Sequence, residues 1–92
     1  MRVRMSEFNV EEFVATIERL GLILAAVPLA DGRVRLNRWR MPNAAIHAQE
    51  IENLWTSQVG DRSDRIEQIT AHIMKRTAER FVAIAYTRAS TP

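Results

Sequence analysis

Residues 21–40 read GLILAAVPLADGRVRLNRWR, and this stretch decides the fold class. The apolar run Leu22 to Val27 directly follows Gly21, which leaves no room for a further helix, so the run predicts a strand. Asp31-Gly32 is typical of a turn, here within a loop of about five residues. Residues 33–40 then begin with alternating polar and apolar side chains, which predicts a second strand paired antiparallel to the first. Together they predict a β-hairpin.

The second predicted strand is strongly basic: it carries four arginines and a tryptophan but no acidic residue. Alternation gives it an arginine–tryptophan face and an apolar face, which Arg38 and Arg40 interrupt near its end. The first face comprises Arg33, Arg35 and Trp39, and the second comprises Val34 and Leu36. The first strand is apolar on both faces, so we expect it to be covered on each side.

An amphipathic helix is predicted before the hairpin. Asn9 is a good N-cap, and Glu12 three residues later completes a capping box. Phe8 and Phe13 have the spacing of a hydrophobic staple. Gly21 can end the helix, because glycine adopts positive φ without strain. The apolar stripe of this helix consists of Val10, Phe13, Val14, Ile17 and Leu20.

A second helix is predicted after the hairpin. Pro42 closes the strand, Asn43 can cap a helix that runs to about Gln58, and Gly60 ends it. Its inward face would consist of Ala44, Ala48, Ile51, Leu54 and Trp55, with Val59 following.

A third helix is predicted to begin at a cap, Asp61 or Ser63, and to run to about Ala85. Its apolar stripe is Ile66, Ile69, Ile73, Thr77, Phe81 and Ile84. An alternative ends this helix near Arg80 and makes Phe81–Thr87 a third strand, because that segment is rich in β-forming residues. Helix is favoured because neither proline nor glycine interrupts the segment.

These elements predict an α+β fold of order αββαα, an antiparallel hairpin packed against two or three helices. The 92 residues suit one domain, 1–92, in which we expect residues 1–7 and 88–92 to be flexible ends. Much of the apolar content is alanine, which buries little area, so we expect a homodimer that shares its core. The predicted dimer interface is the third-helix stripe Ile66, Ile69, Ile73, Phe81 and Ile84.

Composition excludes several classes of protein. The chain has no cysteine, so disulfides and thiolate catalysis are excluded. The apolar stretch Gly21–Ala30 is about half the length that a membrane span needs, and acidic residues precede it, unlike in a signal peptide. We therefore expect a soluble, cytoplasmic protein. The formal net charge is only +2, although almost all of the basic residues are arginines.

The residues of chemical interest give no catalytic pattern. His47 and His72 are far apart in sequence and lack a cysteine partner, whereas zinc needs three or four ligands. No serine or threonine lies beside a histidine, as nucleophilic catalysis would favour. The three glycines each end an element, so no phosphate-binding loop is present. We expect no enzymatic activity, no cofactor and no bound metal.

The basic strand is the candidate binding site, with Arg33, Arg35, Arg38, Trp39 and Arg40 as its residues. Tryptophan and arginine are favoured anchors at protein interfaces, so the strand predicts an adaptor, docking or inhibitory protein that contacts an acidic protein surface. The alternative is a small nucleic-acid-binding regulator, in which arginines grip phosphates and the indole stacks on a base. A third interpretation is a solvated face on which arginine stems cover the tryptophan ring.

The passage IERLGLILAAVPLADGRVRLNRW, with its order of helix, strand, turn and strand, resembles the TubC-type N-terminal docking domain. The matching features are Leu20-Gly21-Leu22 at the helix-to-strand junction and Asp31-Gly32-Arg33-Val34-Arg35 in the hairpin. They cover about a third of the chain. The resemblance implies an αββαα fold that joins subunits of nonribosomal peptide synthetases. The departures are the longer second and third helices, and the 92-residue length where such domains head long synthases.

Overall fold

The computed structural model describes residues 8–89, with side chains described up to residue 80. It has the predicted α+β class, with two antiparallel strands, three α-helices and one 3₁₀ helix between the hairpin and the second α-helix. The elements are α1 (Val10–Arg19), β1 (Leu22–Pro28), β2 (Val34–Arg40), the 3₁₀ helix Pro42–His47, α2 (Ala48–Gln58) and α3 (Ser63–Ala89). The residues expected to be flexible ends, 1–7 and 90–92, lie outside the described part, whereas residues 88 and 89 are helical.

The start and end of α1 follow the local sequence signals. The Asn9 side-chain carbonyl accepts a hydrogen bond from the Glu12 N–H at 3.0 Å, which satisfies one of the unpaired donors of the first turn. The rings of Phe8 and Phe13 lie 5.3 Å apart, as a hydrophobic staple requires. Gly21 has φ of +106°, so the helix-ending role predicted for it is confirmed.

The hairpin register is fixed from both of its ends. The Met41 N–H donates to the Gly21 carbonyl at 2.8 Å, and the Leu29 N–H donates to the Arg33 carbonyl at 2.7 Å. Between these bonds, β1 and β2 pair antiparallel from Leu22 opposite Arg40 to Pro28 opposite Val34. The turn between the strands is therefore short, which fixes which side chains share a face.

The helices cover one face of this hairpin. Leu22 and Leu24 are buried with residues of all three α-helices in a single core. The alternate residues Ile23, Ala25 and Val27 are only half-buried. Within the described part of the chain, the expectation that β1 is covered on both faces is therefore not met.

The segment after the hairpin begins differently from the prediction. It starts with a 3₁₀ helix whose N-cap is Met41 and whose first residue is Pro42, so Asn43 lies inside this helix and does not cap it. The physical reason is that proline at the first helical position has a suitable fixed φ and needs no N–H acceptor. The chain becomes α-helical at Ala48 and ends that helix at Gln58, as predicted.

The inward face predicted for this segment is largely confirmed: Ala44, Ile51, Trp55 and Val59 are buried, and Leu54 and Ala48 are half-buried. The backbone of Gly21 passes so close to the 3₁₀ helix that a Cβ built at this glycine would overlap the Cβ of Ala44. Only glycine at position 21 and a small residue at position 44 fit this packing.

Helix α3 is one continuous helix to Ala89, so the alternative third strand over Phe81–Thr87 is wrong. The carbonyl of Arg62 accepts the N–H of Ile66 at 3.1 Å, which gives the cap position to Arg62 rather than to Asp61 or Ser63. Thr77 was predicted to face the core but is exposed, and its hydroxyl donates to the Ile73 carbonyl at 2.9 Å. This bond within the helix satisfies the hydroxyl without a place in the core.

Two arginine contacts bind α3 to the other helices. The Arg76 guanidinium donates two hydrogen bonds to the Glu18 carboxylate, at 2.8 and 2.6 Å, and this hydrogen bonding raises the pKa of Arg76. The Arg65 guanidinium lies 4.9 Å from the centre of the Phe8 ring and donates to the Gln58 carbonyl at 2.6 Å. Among residues 8–89, no helix combines the length and the apolar character that crossing a membrane requires.

Candidate functional site

The candidate site is the hairpin face opposite the helices, here called the outer face. In an antiparallel pair, residues directly opposite each other point to the same side of the sheet. The register therefore joins three cross-strand pairs on this face. They are Ile23 with Trp39, Ala25 with Asn37, and Val27 with Arg35.

One end of the outer face is apolar. The Trp39 side chain is 48% exposed although it lies opposite the half-buried Ile23. Met41 is 44% exposed, and it follows Trp39 by two residues, on the same side of the extended chain. Register and alternation therefore place these three apolar side chains on one side of the sheet, with Trp39 and Met41 exposed.

The other end of the outer face is cationic. Arg35 is exposed and lies opposite Val27, close to the turn. Its Cα is about 13 Å from that of Trp39, since the two residues are four positions apart in an extended strand. None of the six outer-face residues is acidic. The face thus changes along β2 from apolar to positively charged.

The structure separates the five residues that the sequence predicted as one binding site. Arg33 precedes β2 and belongs to the turn, where its Nε lies 2.6 Å from the Asp31 carboxylate. The same carboxylate accepts the Arg33 backbone N–H at 3.0 Å. Asp31 therefore balances the charge of Arg33 and shapes the turn, so Arg33 is not an unopposed positive charge beside Arg35.

Arg38 and Arg40 point to the other side of the sheet. They lie opposite Leu24 and Leu22 respectively, on the helix-covered side. The guanidinium of Arg38 lies 4.3 Å from the centre of the Trp55 ring, within the range of a cation–π interaction. Arg38 thus links the hairpin to α2. Of the predicted site, only Arg35 and Trp39 come together on the outer face.

Sequence reasoning missed the apolar members of this surface. The sequence predicts that Ile23 belongs to a strand covered on both faces, and no predicted site includes Met41. The signal was available, because the short turn predicts a register that places residue 23 opposite residue 39. A separate exposed apolar residue, Ile46, is 85% exposed beside an open groove of about 590 Å³ along α2. No local sequence pattern marks it.

The predicted dimer interface on α3 also needs correction. Ile69 and Ile73 are buried in the core of the single chain, and Ile66 packs against that core. Their spacing is therefore explained without a second copy, and Ile69 and Ile73 offer no exposed surface. The side chains of Phe81 and Ile84, the other two residues of that prediction, lie outside the described part of the structure.

The histidines lie apart from the hairpin site. The Nδ1 atom of His47 is 4.0 Å from a carboxylate oxygen of Glu50, as their spacing of three residues allows. His72 lines an open groove of about 550 Å³ between α1 and α3, together with Glu11 and Lys75. Among the residues whose side chains are described, no three potential metal ligands come together.

Comparison with known proteins adds no relative to this picture: no family model, curated protein or solved structure matches the chain significantly. The resemblance to the TubC-type docking domain therefore stays a prediction.

Proposed function

We propose that this chain is a non-enzymatic docking or adaptor protein, whose outer face binds an acidic, extended segment of another protein. The observation that carries the proposal is the pairing of a half-exposed Trp39 with Ile23 at one end of a surface that has the exposed Arg35 at its other end. An inhibitory or regulatory role would follow if the bound segment has a competing partner.

The apolar end would supply most of the binding free energy. Burying an aromatic ring removes a large apolar area from water, and tryptophan is among the residues that most often dominate protein interfaces. Ile23 and Met41 extend this area with side chains that are already partly exposed. We therefore place an apolar side chain of the partner over the indole of Trp39.

The cationic end would give orientation and selectivity. Arginine presents a planar set of donors that matches a carboxylate. The charge of Arg35 is not balanced by an acidic residue on the outer face. A partner segment that runs along β2 would place an acidic residue near Arg35, about four positions from its apolar anchor. A segment bound in the reverse direction would place its acidic residue near Trp39 and its apolar anchor near Arg35. The charge of Arg35 therefore fixes the orientation of the segment.

The resemblance to docking domains supports the same class of function, since it rests on residues of this hairpin. The positions of the arginines restrict the proposed site to the outer face. Arg38 contacts Trp55, and Arg33 contacts Asp31. These two arginines have partners in the fold, and Arg40 lies on the helix-covered side. Arg35 and Trp39 are therefore the predicted residues that remain on the outer face.

The test is selection from a displayed library of extended peptides with one apolar anchor and either acidic or basic flanks. We expect the acidic set to be enriched. Trp39→Ala should weaken binding of a selected peptide by about 30-fold or more, as loss of a central anchor does. Arg35→Glu should also weaken peptide binding, and this loss of affinity should be larger at low salt than at high salt.

The matched control is Lys75→Glu, which makes the same change of charge on α3, away from the hairpin. It should leave peptide affinity almost unchanged. Equal enrichment of both peptide sets, or equal effects of Arg35→Glu and Lys75→Glu, would contradict the proposal. Retention of single-stranded DNA or RNA, with affinity falling linearly in log–log form as salt rises, would favour the nucleic-acid alternative instead.

A further inference from the structure

The outer edge of β1 is a second unpartnered feature of the hairpin, distinct from the outer face. Hydrogen-bonded and non-hydrogen-bonded pairs alternate along an antiparallel ladder. Because Gly21 bonds to Met41 and Leu29 bonds to Arg33, the odd-numbered residues of β1 bond to β2. The even-numbered residues direct their N–H and C=O groups away from β2. These are Leu22, Leu24 and Ala26, followed by Pro28, which has no N–H.

No strand in the described part of the chain pairs with this edge, because the sheet in residues 8–89 contains only β1 and β2. An open strand edge is a template for another strand, and proteins usually protect it with charge, proline or a bulge. The edge of β1 has no charged residue from Leu22 to Val27. The edge of β2, by contrast, carries Arg38 and Arg40 among its outward residues.

We propose that two copies of this chain associate through β1, which pairs antiparallel with its copy to form one four-stranded sheet. The two-fold axis would pass beside Leu24, so that Leu24 bonds to the partner's Leu24 and Leu22 bonds to the partner's Ala26. Each outward N–H then finds a carbonyl. Pro28 ends the pairing, since it has no N–H to donate.

A second copy is the occupant that fits this edge best. The axis relates identical uncharged segments, so no like charges meet across it, and the two strands match in length. Pairing through β2 would instead place three arginines of each copy in the joined strands, which adds like charge to the interface. On the outer face, Ile23 would lie opposite the partner's Ala25, which covers half-buried apolar side chains. The two proposals share Ile23, but the dimer uses the backbone groups of β1, whereas Arg35 and Trp39 of the peptide site lie on β2.

A pair of proline variants tests the edge. Ala26→Pro removes an outward N–H and leaves the β1–β2 ladder intact, whereas Ala25→Pro removes the N–H that faces β2. By sedimentation velocity at high micromolar concentration, we expect wild type to be a dimer and Ala26→Pro to be a folded monomer by circular dichroism. Ala25→Pro should lose the hairpin itself. A monomeric wild type would overturn the proposal, as would a dimer that Ala26→Pro leaves unchanged.

A cross-linking experiment covers the case in which Ala26→Pro fails to fold. The chain has no cysteine, so Ile23→Cys and Ala25→Cys introduce the only thiols. Residue 23 and the partner's residue 25 would form a non-hydrogen-bonded pair with Cα atoms about 4.5 Å apart, which suits a disulfide. An oxidised mixture of the two variants should give covalent dimer, whereas each variant alone should not. No covalent dimer in the mixture, or equal amounts in all three samples, would overturn the proposed register.

Discussion

Arg35 and Arg38 lie three residues apart in one strand and have opposite environments. Arg38 is on the helix-covered side, where its guanidinium lies over the Trp55 ring and links the hairpin to α2. Arg35 is on the outer face, exposed and opposite Val27. The comparison teaches that a basic strand is not one basic surface: alternation assigns some of its arginines to the fold and leaves others for a ligand.

The largest expected effect concerns the two ends of the hairpin. Gly21→Ala should destabilise the protein by about 3 kcal/mol, because the new Cβ would overlap Ala44 and φ is positive. Gly32→Ala should cost only about 1 kcal/mol, since φ is again positive but nothing lies within 4 Å. Urea unfolding of both variants checks this difference. Similar losses of stability in the two variants would mean that the 3₁₀ helix can move away from residue 21 and relieve the overlap with Ala44.

Substitutions at two adjacent residues of β1 compare the stability contributed by the helix-covered face and by the outer face. Leu22→Ala should cost about 2–3 kcal/mol, because the side chain is 4% exposed in the core. Ile23→Ala on the outer face should cost less, about 1 kcal/mol, since this side chain is less buried than Leu22. Urea unfolding should be done at one fixed protein concentration, because self-association adds to stability. A larger loss for Ile23→Ala would show that the outer face is covered in solution.

Arg76 is a second arginine with a partner in the fold. A double-mutant cycle with Glu18→Gln and Arg76→Gln should give a coupling free energy of about 0.5–1 kcal/mol, a modest value because both side chains are about 30% exposed. The coupling should decrease in high salt. A coupling near zero in low salt would show that the ion pair adds nothing to stability.

The raised pKa of Arg76 also predicts how this pair responds to pH. A group whose pKa is raised by folding stabilises the folded state at all pH values below its unfolded pKa, and loses that contribution as the pH rises through the folded pKa. For arginine this loss lies in the strongly alkaline range. The Arg76→Gln variant and wild type should therefore differ in stability by the same amount from about pH 7 to 9. A difference that shrinks over this interval would contradict the assignment.

The comparison between Arg35 and Arg38 has its own test. Arg38→Ala should lower stability by about 0.5–1 kcal/mol through loss of the cation–π contact with Trp55. Arg35→Ala should change stability by less than about 0.5 kcal/mol and should weaken peptide binding instead. Unfolding and peptide titrations of both variants are the measurements. The assignment of roles would fail if both variants lost stability equally.

The smallest effect is expected at the histidines. Replacing His47 and His72 by glutamine should change stability and peptide affinity by no more than about 0.5 kcal/mol each, because both lie away from the outer face. A chelator should leave the melting temperature unchanged. Metal retained after dialysis of untagged protein would direct attention to His47 with Glu50.

Much of the fold follows from local signals in the sequence. The Asn9 cap, the Phe8–Phe13 staple and the helix end at Gly21 each depend on residues a few positions apart, so they could be predicted with their mechanisms. The start at Pro42 could not be distinguished from a cap at Asn43, since proline favours the first helical position and asparagine the cap. The two local signals favour different first residues for the helix. In the structure the helix begins at Pro42, and its Ala44 packs against Gly21.

The candidate site was less predictable, because its decisive contacts join distant parts of the chain. Alternation placed Arg35 and Trp39 on one face, and the structure keeps them there. The contact of Arg38 with Trp55 requires the tertiary position of α2, which no pattern in β2 contains. Thr77 has the spacing of a core residue, yet it is exposed in the described part of the chain. Periodicity predicts a face but not how far the neighbouring elements extend.

The approach of Gly21 to Ala44 has a consequence for the natural variation of this fold. The two positions are distant in sequence but have room for only one β-carbon between them. Among chains descended from a common ancestor, we therefore expect glycine to be retained at the first position, where φ is also positive, and the second position to stay small. A homologue with a bulkier residue at the second position must have moved the 3₁₀ helix outward. Such a shift would also displace the end of β2, and with it Trp39.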